Sequence, residues 1–510
     1  MYTREYVEQM DGTCFPGKTF QDCVLAPIFY IQSKYYAKPF IEISKAHAVM
    51  LYEQKIISYE EAKAILSGLK KIELMDMNGK EYDPSYEDMF FMIEHELENL
   101  TGKDTAGRLH IARSRNDIDI CEFRMVLREK ILEVMQVLNV FRQVLLSMAG
   151  ENTHTVMPAY THTQPAQPST LAHYLLAFSD SLMRDFIRFE QLLKTVNSSP
   201  LGAAAITTTG FPIDRDRTRE LLGFDILVEN SYDSIAGCDY LTECASVLMI
   251  MNTSLSRFMK DILDFCTKEF NVFYLADPYV QVSSIMPQKR NPSSLEQTRP
   301  AVSKAIAEAK CVFDILHNTP FGDIVDTEEQ LQPHLYDSMK YTVRALKMLS
   351  SVFATLKVNK DVLFQRAHEG FITATELADV LVRDKGLSFR HSHKITSAIV
   401  RHMIGNELKA QDITPQLIAA ISEEILGRPI DLEASEIEKA LDPVNFINIR
   451  TVTGGPAPVE TERMLKNRTE GLERDRQLLD EHIRKLRSAE LKLEEMIENI
   501  ICQNAAASMK

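Results

Sequence analysis

Apolar residues recur along this chain at alternating spacings of four and three residues over two long stretches. One stretch comprises Leu127, Ile131, Val134, Leu138, Phe141, Leu145 and Met148. The other comprises Leu241, Cys244, Leu248, Met251, Leu255, Phe258, Ile262 and Phe265. This spacing puts the members of each stretch on one face of a helix, and it is typical of helices packed lengthwise in a bundle.

Three further segments have helical patterns. One covers 169–196 with Ser169 as the expected N-cap, and another covers 293–317 with Ser293 or Ser294 as the cap. A charged segment, 459–500, is expected to form a solvated helix or one at the edge of the bundle. Because no alternating strand pattern of comparable strength is present, the sequence predicts a mainly α fold.

The distribution of these patterns predicts three domains. Residues 1–112 alternate shorter helices with loops, residues 113–365 contain the long helices, and residues 366–510 return to shorter helices. The stretch "TVTGGPAPVE" (451–460) is a Gly/Pro break before the terminal helix.

Composition and net charge narrow the range of partners and compartments expected for this protein. The 510 residues carry a net charge of −15, so no broad basic surface is available and no nucleic-acid partner is expected. No uninterrupted apolar run approaches the length of a membrane span, so no membrane partner is expected. The eight cysteines are scattered without C-x-x-C or zinc-like spacing, which favours reduced core thiols in a cytoplasmic protein.

Three polar segments interrupt or cap the apolar helices, and the first is "GRLHIARSRND" (107–117). Its Arg113, Ser114, Arg115 and Asn116 come at the start of a helix predicted over 116–150, where free N–H groups and the helix dipole favour an anion. Two guanidinium groups add a fork that matches a carboxylate. A salt-bridged helix cap is the alternative interpretation.

The second segment is "MPAYTHTQPAQP" (157–168), in which three prolines stiffen a predicted loop. The loop presents Thr161, His162, Thr163 and Gln164. A histidine in a loop can transfer protons near neutral pH, although an isolated histidine of this kind is more often structural.

The third segment is "SSIMPQKRNPSS" (283–294), a stiff and basic loop between two helices. It supplies candidate bases or nucleophiles, a cation and an amide, namely Ser283, Ser284, Lys289 and Asn291. Downstream, Glu296 is placed where a carboxylate can orient an imidazole from another segment. A plain surface loop is the alternative.

Motifs for other chemistries are missing from the sequence. It has no phosphate-binding or dinucleotide-binding glycine motif, no H-E-x-x-H and no G-x-S-x-G. The two histidines of "RHSHK" (390–394) are two residues apart and do not share a helix face. We therefore predict no metal and no cofactor.

Together the three segments resemble the fumarase/aspartase superfamily, and within it the argininosuccinate lyase branch. "SSIMPQKRNP" is similar to the superfamily's signature loop and is the most specific match. "GRLHIARSRND", "MPAYTHTQPAQPSTLAHYLLAF" and "PLGAAAITTTGFPIDRDRTRELLGF" (200–224) resemble argininosuccinate lyases in order and spacing. The resemblance implies a three-domain fold whose long-helix bundle forms the core of a homotetramer, with three subunits contributing to each site.

The resemblance also implies a reaction and roles for the polar residues. A C–N bond in an N-substituted aspartate is broken, and fumarate and an amine are released. Ser283 is the base, supported by Lys289, and His162, oriented by Glu296, assists proton delivery to the departing nitrogen. The residues that hold the substrate are Ser114, Arg115, Asn116, Thr161 and Asn291, with Arg113 and Gln164 beside them.

The part of the family site that contacts the amine is not reproduced. The family's "WGGRF" start is missing, since the chain has no tryptophan, and Phe90 in "EDMFF" (87–91) replaces a histidine. The expected substrate is argininosuccinate, cleaved to arginine and fumarate, or another N-substituted aspartate of the iminodisuccinate or ethylenediamine-disuccinate kind. A non-catalytic structural protein, like the crystallins related to the family, is the remaining alternative.

Overall fold

A computed structural model describes residues 3–502 of the chain, and in that range the fold is mainly helical. The helices before the bundle are α1 (Arg4–Asp11), α2 (Lys18–Phe20), α3 (Ala26–Tyr35), α4 (Ala37–Glu53), α5 (Tyr59–Glu73), α6 (Met89–Thr101) and α7 (Lys103–Arg108). The next are α8 (Arg115–Gly150), α9 (Leu171–Val196), α10 (Arg215–Leu221), α11 (Ser231–Ala236), α12 (Asp239–Phe265), α13 (Ser293–Leu316) and α14 (Gln332–Phe353). The last are α15 (Lys360–His368), α16 (Ala374–Arg383), α17 (Phe389–Gly405), α18 (Pro415–Leu426), α19 (Ala434–Leu441), α20 (Pro443–Asn448) and α21 (Pro458–Cys502).

The strands are short and form separate two-stranded ribbons. They are β1 (Val156–Thr161), β2 (Gln164–Thr170), β3 (Ser198–Ser199), β4 (Ile226–Leu227), β5 (Phe273–Tyr274), β6 (Gln281–Val282), β7 (Arg290–Asn291) and β8 (Lys357–Val358). β1 pairs with β2, β5 with β8 and β6 with β7, all antiparallel, whereas β3 and β4 are parallel.

The two apolar stretches lie in α8 and α12, as predicted. Every residue of both stretches is buried, none more than 7% exposed. α8, α9, α12, α13 and α14 pack lengthwise into one bundle. By length and composition α8 could cross a membrane, but 67% of its most apolar window is buried inside the protein, as in a core helix.

The predicted helix caps were wrong by one or two residues. Thr170, not Ser169, caps α9 by accepting the N–H of His173 at 3.1 Å, because Ser169 still belongs to β2. Ser293 and Ser294 lie inside the first turn of α13 and instead bond to Gln281 Oε1 and the Tyr279 carbonyl, at 3.0 and 2.9 Å.

The two ends of the bundle carry different segments. At the Ser114 end, where α8 and α14 begin, the Tyr36 and Tyr336 hydroxyls are 3.1 Å apart and Arg124 donates to the Thr195 carbonyl at the end of α9. At the Ser283 end, where α8 and α14 stop, Phe353 contacts Phe273, and the loop before α13 follows. The 36 residues of α8 rise about 54 Å between these ends.

The three-domain division remains a prediction. Residues of α3 to α6 share one core with the bundle, whereas residues 377–441 have a second core of their own. All eight cysteines are free in the structure, and their reduced state stays a prediction. Cys14, Cys23 and Cys502 are exposed, however, so the expectation that all cysteines are core residues was wrong.

The terminal helix α21 lies at the edge of the bundle, where it contacts α8, α9 and α5. Arg142 of α8 is 2% exposed and donates to Asp475 Oδ2 of α21 at 2.7 Å and to Asn139 Oδ1 at 2.9 Å. This ion pair ties the charged helix to the central one.

Replacing Asp475 with Asn should destabilise the fold by roughly 3 kcal/mol, because the buried Arg142 guanidinium then lacks its counter-charge. Urea unfolding measures the loss. The control is Glu470→Gln, an exposed position on the same helix, which should change stability by less than about 0.5 kcal/mol. Equal effects of both substitutions would contradict the role of the ion pair.

Candidate active site

Ser114 and Asn116 form a hydrogen-bonded pair at the start of α8. Ser114 is the N-cap residue, its hydroxyl donates to Asn116 Oδ1, and the Asn116 amide donates to the Asp323 carboxylate. The positive end of the longest bundle helix therefore already holds a carboxylate in this chain. The arrangement suits the predicted carboxylate-binding role of both residues.

Asp117 holds the backbone of this segment in place from inside the protein. It is fully buried, and its carboxylate accepts the N–H groups of Ser114 at 2.9 Å, Gly202 at 2.8 Å and Ala204 at 3.0 Å. Burial raises its pKa to about 6, although these three N–H groups oppose the shift. Gly202 has φ +87°, and a Cβ there would meet Arg215 Cγ at 2.6 Å. The S-x-x-D spacing of a capping box was the sequence signal for this positioning role.

The two arginines of the first segment have different environments. The Arg113 side chain is fully buried, donates to Ser44 Oγ at 2.9 Å and leaves its Nε and Nη2 without hydrogen-bond partners. Arg115 is 41% exposed and pairs with Asp88 at 2.7 Å and Glu87 at 3.2 Å. Arg115 therefore borders the surface beside Ser114, whereas Arg113 acts only from inside the protein.

Five carboxyl groups that sequence reasoning missed lie beside this segment. They form the acidic cluster, which consists of Asp88, Asp119, Glu122, Glu328 and Glu329. Burial and then the charge of Glu329 raise the pKa of Asp119, while burial and then Asp119 raise the pKa of Glu122. Burial and Glu329 raise the pKa of Glu328 to about 7. The first and last members are 241 positions apart in the sequence, at 88 and 329, so no local motif marks them.

The second segment is a β-hairpin, not an irregular loop. Thr161 pairs with Gln164, and the intervening His162 and Thr163 have φ of +49° and +63°, as a two-residue turn of type I′ requires. All four side chains are exposed at the tip, at the Ser283 end of the bundle. Proline is compatible with these strands because an isolated ribbon has two edges.

The third segment is a loop closed at its base by the β6–β7 ribbon. Ser283 Oγ accepts the N–H groups of Met286 at 3.1 Å and Ile285 at 3.4 Å. Arg290 holds the base of the loop through the Leu275 carbonyl at 2.9 Å and Asp277 at 2.7 Å. Donors directed at a serine oxygen favour its negatively charged form, so the local geometry suits a base.

The remaining predicted residues lie at the same end as this loop. Lys289 is exposed, and Asn291 is half-buried where the loop rejoins α13. Glu296 is exposed in the first turn of α13, and among residues 3–502 no hydrogen bond joins it to His162. The second and third segments are thus at one end of the bundle, and Ser114 and Asn116 are at the other. One chain does not assemble the predicted site.

Comparisons with known families give two matches. Residues 29–306 match the family described as Lyase, and residues 371–448 match the family described as Argininosuccinate lyase C-terminal. An argininosuccinate lyase of Methanocaldococcus jannaschii is 39% identical over 86% of this chain and 90% of its own length. Argininosuccinate lyase 2 of Agrobacterium fabrum is 38% identical over 88% of this chain and 90% of its own.

Solved structures confirm the expected fold. An EDDS lyase in complex with formate has a TM-score of 0.85 and 32% identity, covering 96% of this chain and 97% of its own. A variant EDDS lyase with bound fumarate has the same TM-score, 34% identity and 92% coverage of both chains. A class II fumarase from Schistosoma mansoni shares the fold at 15% identity and a TM-score of 0.65, covering 81% and 90%.

Replacing Glu122 with Gln should stabilise the fold at pH 8. The raised pKa means that the folded state holds a proton longer than the unfolded state, so this group's contribution falls as pH rises above about 4.5. Removing an ionisable group that has no hydrogen-bond donor should add about 1 to 3 kcal/mol at pH 8 and little at pH 4. Urea unfolding at both pH values measures the difference.

The matched control is Glu129→Gln on the exposed face of the same helix, which should show no such pH dependence. A Glu122→Gln variant that is less stable than the parent at pH 8 would show that the carboxylate has a stabilising partner.

Proposed function

The chain belongs to the argininosuccinate lyase family of the fumarase/aspartase superfamily, and from that membership we propose that it cleaves an N-substituted aspartate to fumarate and an amine. It is a carbon–nitrogen lyase. The observation that carries the proposed mechanism is the pair of N–H groups directed at Ser283 Oγ.

Ser283 removes the proton from the carbon next to a substrate carboxylate. A serine hydroxyl is a poor base in water, but the Ile285 and Met286 N–H groups stabilise its alkoxide, and Lys289 adds a nearby positive charge. Closure of the loop over substrate would exclude water and strengthen these interactions. Asn291, at the base of the loop, supplies a neutral amide for the substrate.

Ser114 and Asn116 hold a carboxylate of the succinyl group. In the free chain the Asp323 carboxylate accepts a hydrogen bond from the Asn116 side-chain amide. A bound substrate carboxylate accepts this hydrogen bond in place of Asp323. Arg115 and Thr161 also bind the substrate in this part of the site, and Gln164 lies beside Thr161. The buried Arg113 contributes positive charge from inside the protein. His162, oriented by Glu296, delivers a proton to the departing nitrogen.

These residues can meet only if different chains contribute them. We place Ser114 of one chain beside the hairpin and the 283–289 loop of its neighbours in a homotetramer. Exposed apolar side chains on four bundle helices support such packing: Val140, Ile187, Ile250 and Phe313 are 37–48% exposed. We also propose that this enzyme is cytoplasmic.

Argininosuccinate, cleaved to arginine and fumarate, is the first candidate substrate, because relatives at 38–39% identity carry that activity in their names. An aminocarboxylate of the ethylenediamine-disuccinate kind is the second candidate. Two EDDS lyase structures support it, with TM-scores of 0.85 over more than nine-tenths of this chain.

Ser283→Ala should lower kcat for fumarate release by about a thousandfold or more, since a positioned base contributes that much. The rise in ultraviolet absorbance of fumarate measures the rate. Ser284→Ala is the control: among the described residues, no N–H is bonded to the Ser284 hydroxyl, and the variant should keep most of its activity. Full activity of Ser283→Ala would refute the assignment of the base.

Mixing two inactive variants should restore part of the activity. Ser283→Ala and Asn116→Ala remove groups from opposite ends of the bundle, so mixed oligomers contain some sites with neither change. The measurement is fumarate release after the two proteins are denatured and refolded together. The control is each variant refolded alone. No recovery in oligomers shown to be mixed would contradict a site shared between chains.

A further inference from the structure

The turn before Ser114 has a backbone conformation that its residue type disfavours. Ala112 has φ +61°, in the left-handed region where a Cβ crowds the backbone. Other left-handed residues, such as Lys55 and Glu407, come directly after the capped ends of helices, where this conformation is common. Ala112 instead lies between α7 and α8, three positions before α8 begins, so no helix end requires its conformation.

Hydrogen bonds of Ala112 itself do not hold this turn. Its backbone N–H and carbonyl groups have no hydrogen bond among residues 3–502. The last backbone hydrogen bond before it joins the Ile111 N–H to the Arg108 carbonyl at 3.3 Å. A strained residue persists only where the surrounding structure determines its conformation. The groups on either side of Ala112 therefore hold it in place.

One side of α4 supplies these groups. Phe40, Ser44 and His47 are spaced by four and three residues, so they form one buried surface, which we call the α4 face. His47 Nε2 donates to the Ile111 carbonyl at 2.9 Å. Ser44 Oγ accepts from Arg113 Nη1 at 2.9 Å, and the Arg113 guanidinium lies 5.7 Å from the centre of the Phe40 ring. The residues before and after the strained position are thus both bound to α4.

His47 acts in this arrangement as a neutral donor. A carbonyl oxygen can only accept, so Nε2 of His47 carries the hydrogen. Burial and then the charge of Arg113 lower the pKa of His47 to about 3, so the ring is uncharged near neutral pH. The hydrogen bond to Ile111 therefore fixes the backbone without adding a charge beside Arg113.

The turn sets the direction in which the chain enters α8. Two positions after Ala112, Ser114 caps the helix, and its hydroxyl donates to the Asn116 side chain. Within the helix, Asp117 Oδ1 accepts the Ser114 N–H at 2.9 Å. Since α4 holds one end of this segment and Asp117 the other, a change at Ala112 would displace Ser114 and Asn116 together.

We propose that the α4 face holds the turn at Ala112 in its left-handed conformation, and that this conformation directs Ser114 and Asn116 at a substrate carboxylate. Ser44 and His47 are positioning residues, because they act on the substrate only through the turn. The inference rests on the proposed function, which gives Ser114 and Asn116 their carboxylate. If the α4 face only filled the core, nothing would be gained by holding an alanine in a conformation that alanine disfavours.

Two substitutions of His47 separate positioning from core stability. His47→Leu keeps an apolar side chain in the core but removes the donor to Ile111. KM and the dissociation constant of fumarate should then rise about tenfold, while kcat changes by less than about twofold. His47→Gln retains an N–H that can reach the carbonyl, so both constants should stay within about threefold of those of the parent. Fumarate release gives KM and kcat, and calorimetric titration of the assembled protein with fumarate gives the dissociation constant. Parent constants in His47→Leu, or equal losses in both variants, would overturn the inference.

Ala112→Gly in the His47→Leu background tests the strained turn itself. Glycine adopts the left-handed conformation without steric cost, so KM of the double variant should return to within about threefold of the parent value. The matched control is Lys55→Gly in the same background, which relieves an exposed left-handed residue outside the site and should leave KM raised. Recovery in both double variants, or in neither, would contradict the role of the turn.

Val49→Ala controls for lost packing in α4. Val49 is fully buried and comes two positions after His47, on the opposite side of the helix. This substitution should lower the melting temperature and leave KM unchanged. If His47→Leu does not fold, Ser44→Ala decides. Loss of the acceptor for Arg113 should raise KM by about threefold or more, and a parent KM would overturn the inference.

The two proposals fail in different ways. If fumarate binding depends on His47 as expected but the protein releases fumarate from none of the candidate substrates, the positioning stands and the proposed reaction falls. If fumarate is released but His47→Leu binds it as tightly as the parent does, the reaction stands and the positioning falls.

Discussion

The length of one rigid helix is the constraint on which the rest of this structure depends. α8 separates Ser114 and Asn116 from the hairpin by its full rise of about 54 Å, and buried residues along its whole length hold it in the bundle. A carboxylate-binding end and a base-bearing end therefore cannot meet within a chain. In the homotetramer that we propose, antiparallel packing of neighbouring bundles would bring opposite ends together, and catalysis would then require assembly.

At each end of the bundle, the groups proposed to act on the substrate are already arranged within one chain. The Ser114 end has the helix dipole, a buried Asp117 that fixes the nearby backbone, and an amide already holding a carboxylate. The Ser283 end has a serine oxygen that receives two N–H groups from its own loop.

The sequence predicted the bundle helices correctly because their pattern of apolar residues is long and periodic. The stretches in α8 and α12 are buried at every predicted position, since lengthwise packing leaves little freedom in which residues face inward. The residues that cap the helices were less predictable. Thr170 and Ser169 are both good capping residues, and only the pairing of β2 with β1 decides between them.

The site was predictable where it consists of contiguous segments and not where it is assembled by the fold. Ser114, His162 and Ser283 stand in motifs, whereas Asp119 and Glu329 become neighbours only after α8 and α14 pack together. The proposed contact of His162 with Glu296 is not formed within one chain, among residues 3–502. No pattern within one sequence gives the geometry between copies.

The most direct test is a crystal structure of the assembled protein soaked with fumarate. The account predicts one diacid in each site, with a carboxylate on Ser114 and Asn116 of one chain and its reacting carbon facing Ser283 Oγ of another. Fumarate bound wholly within one chain, or remote from Ser283, would contradict it.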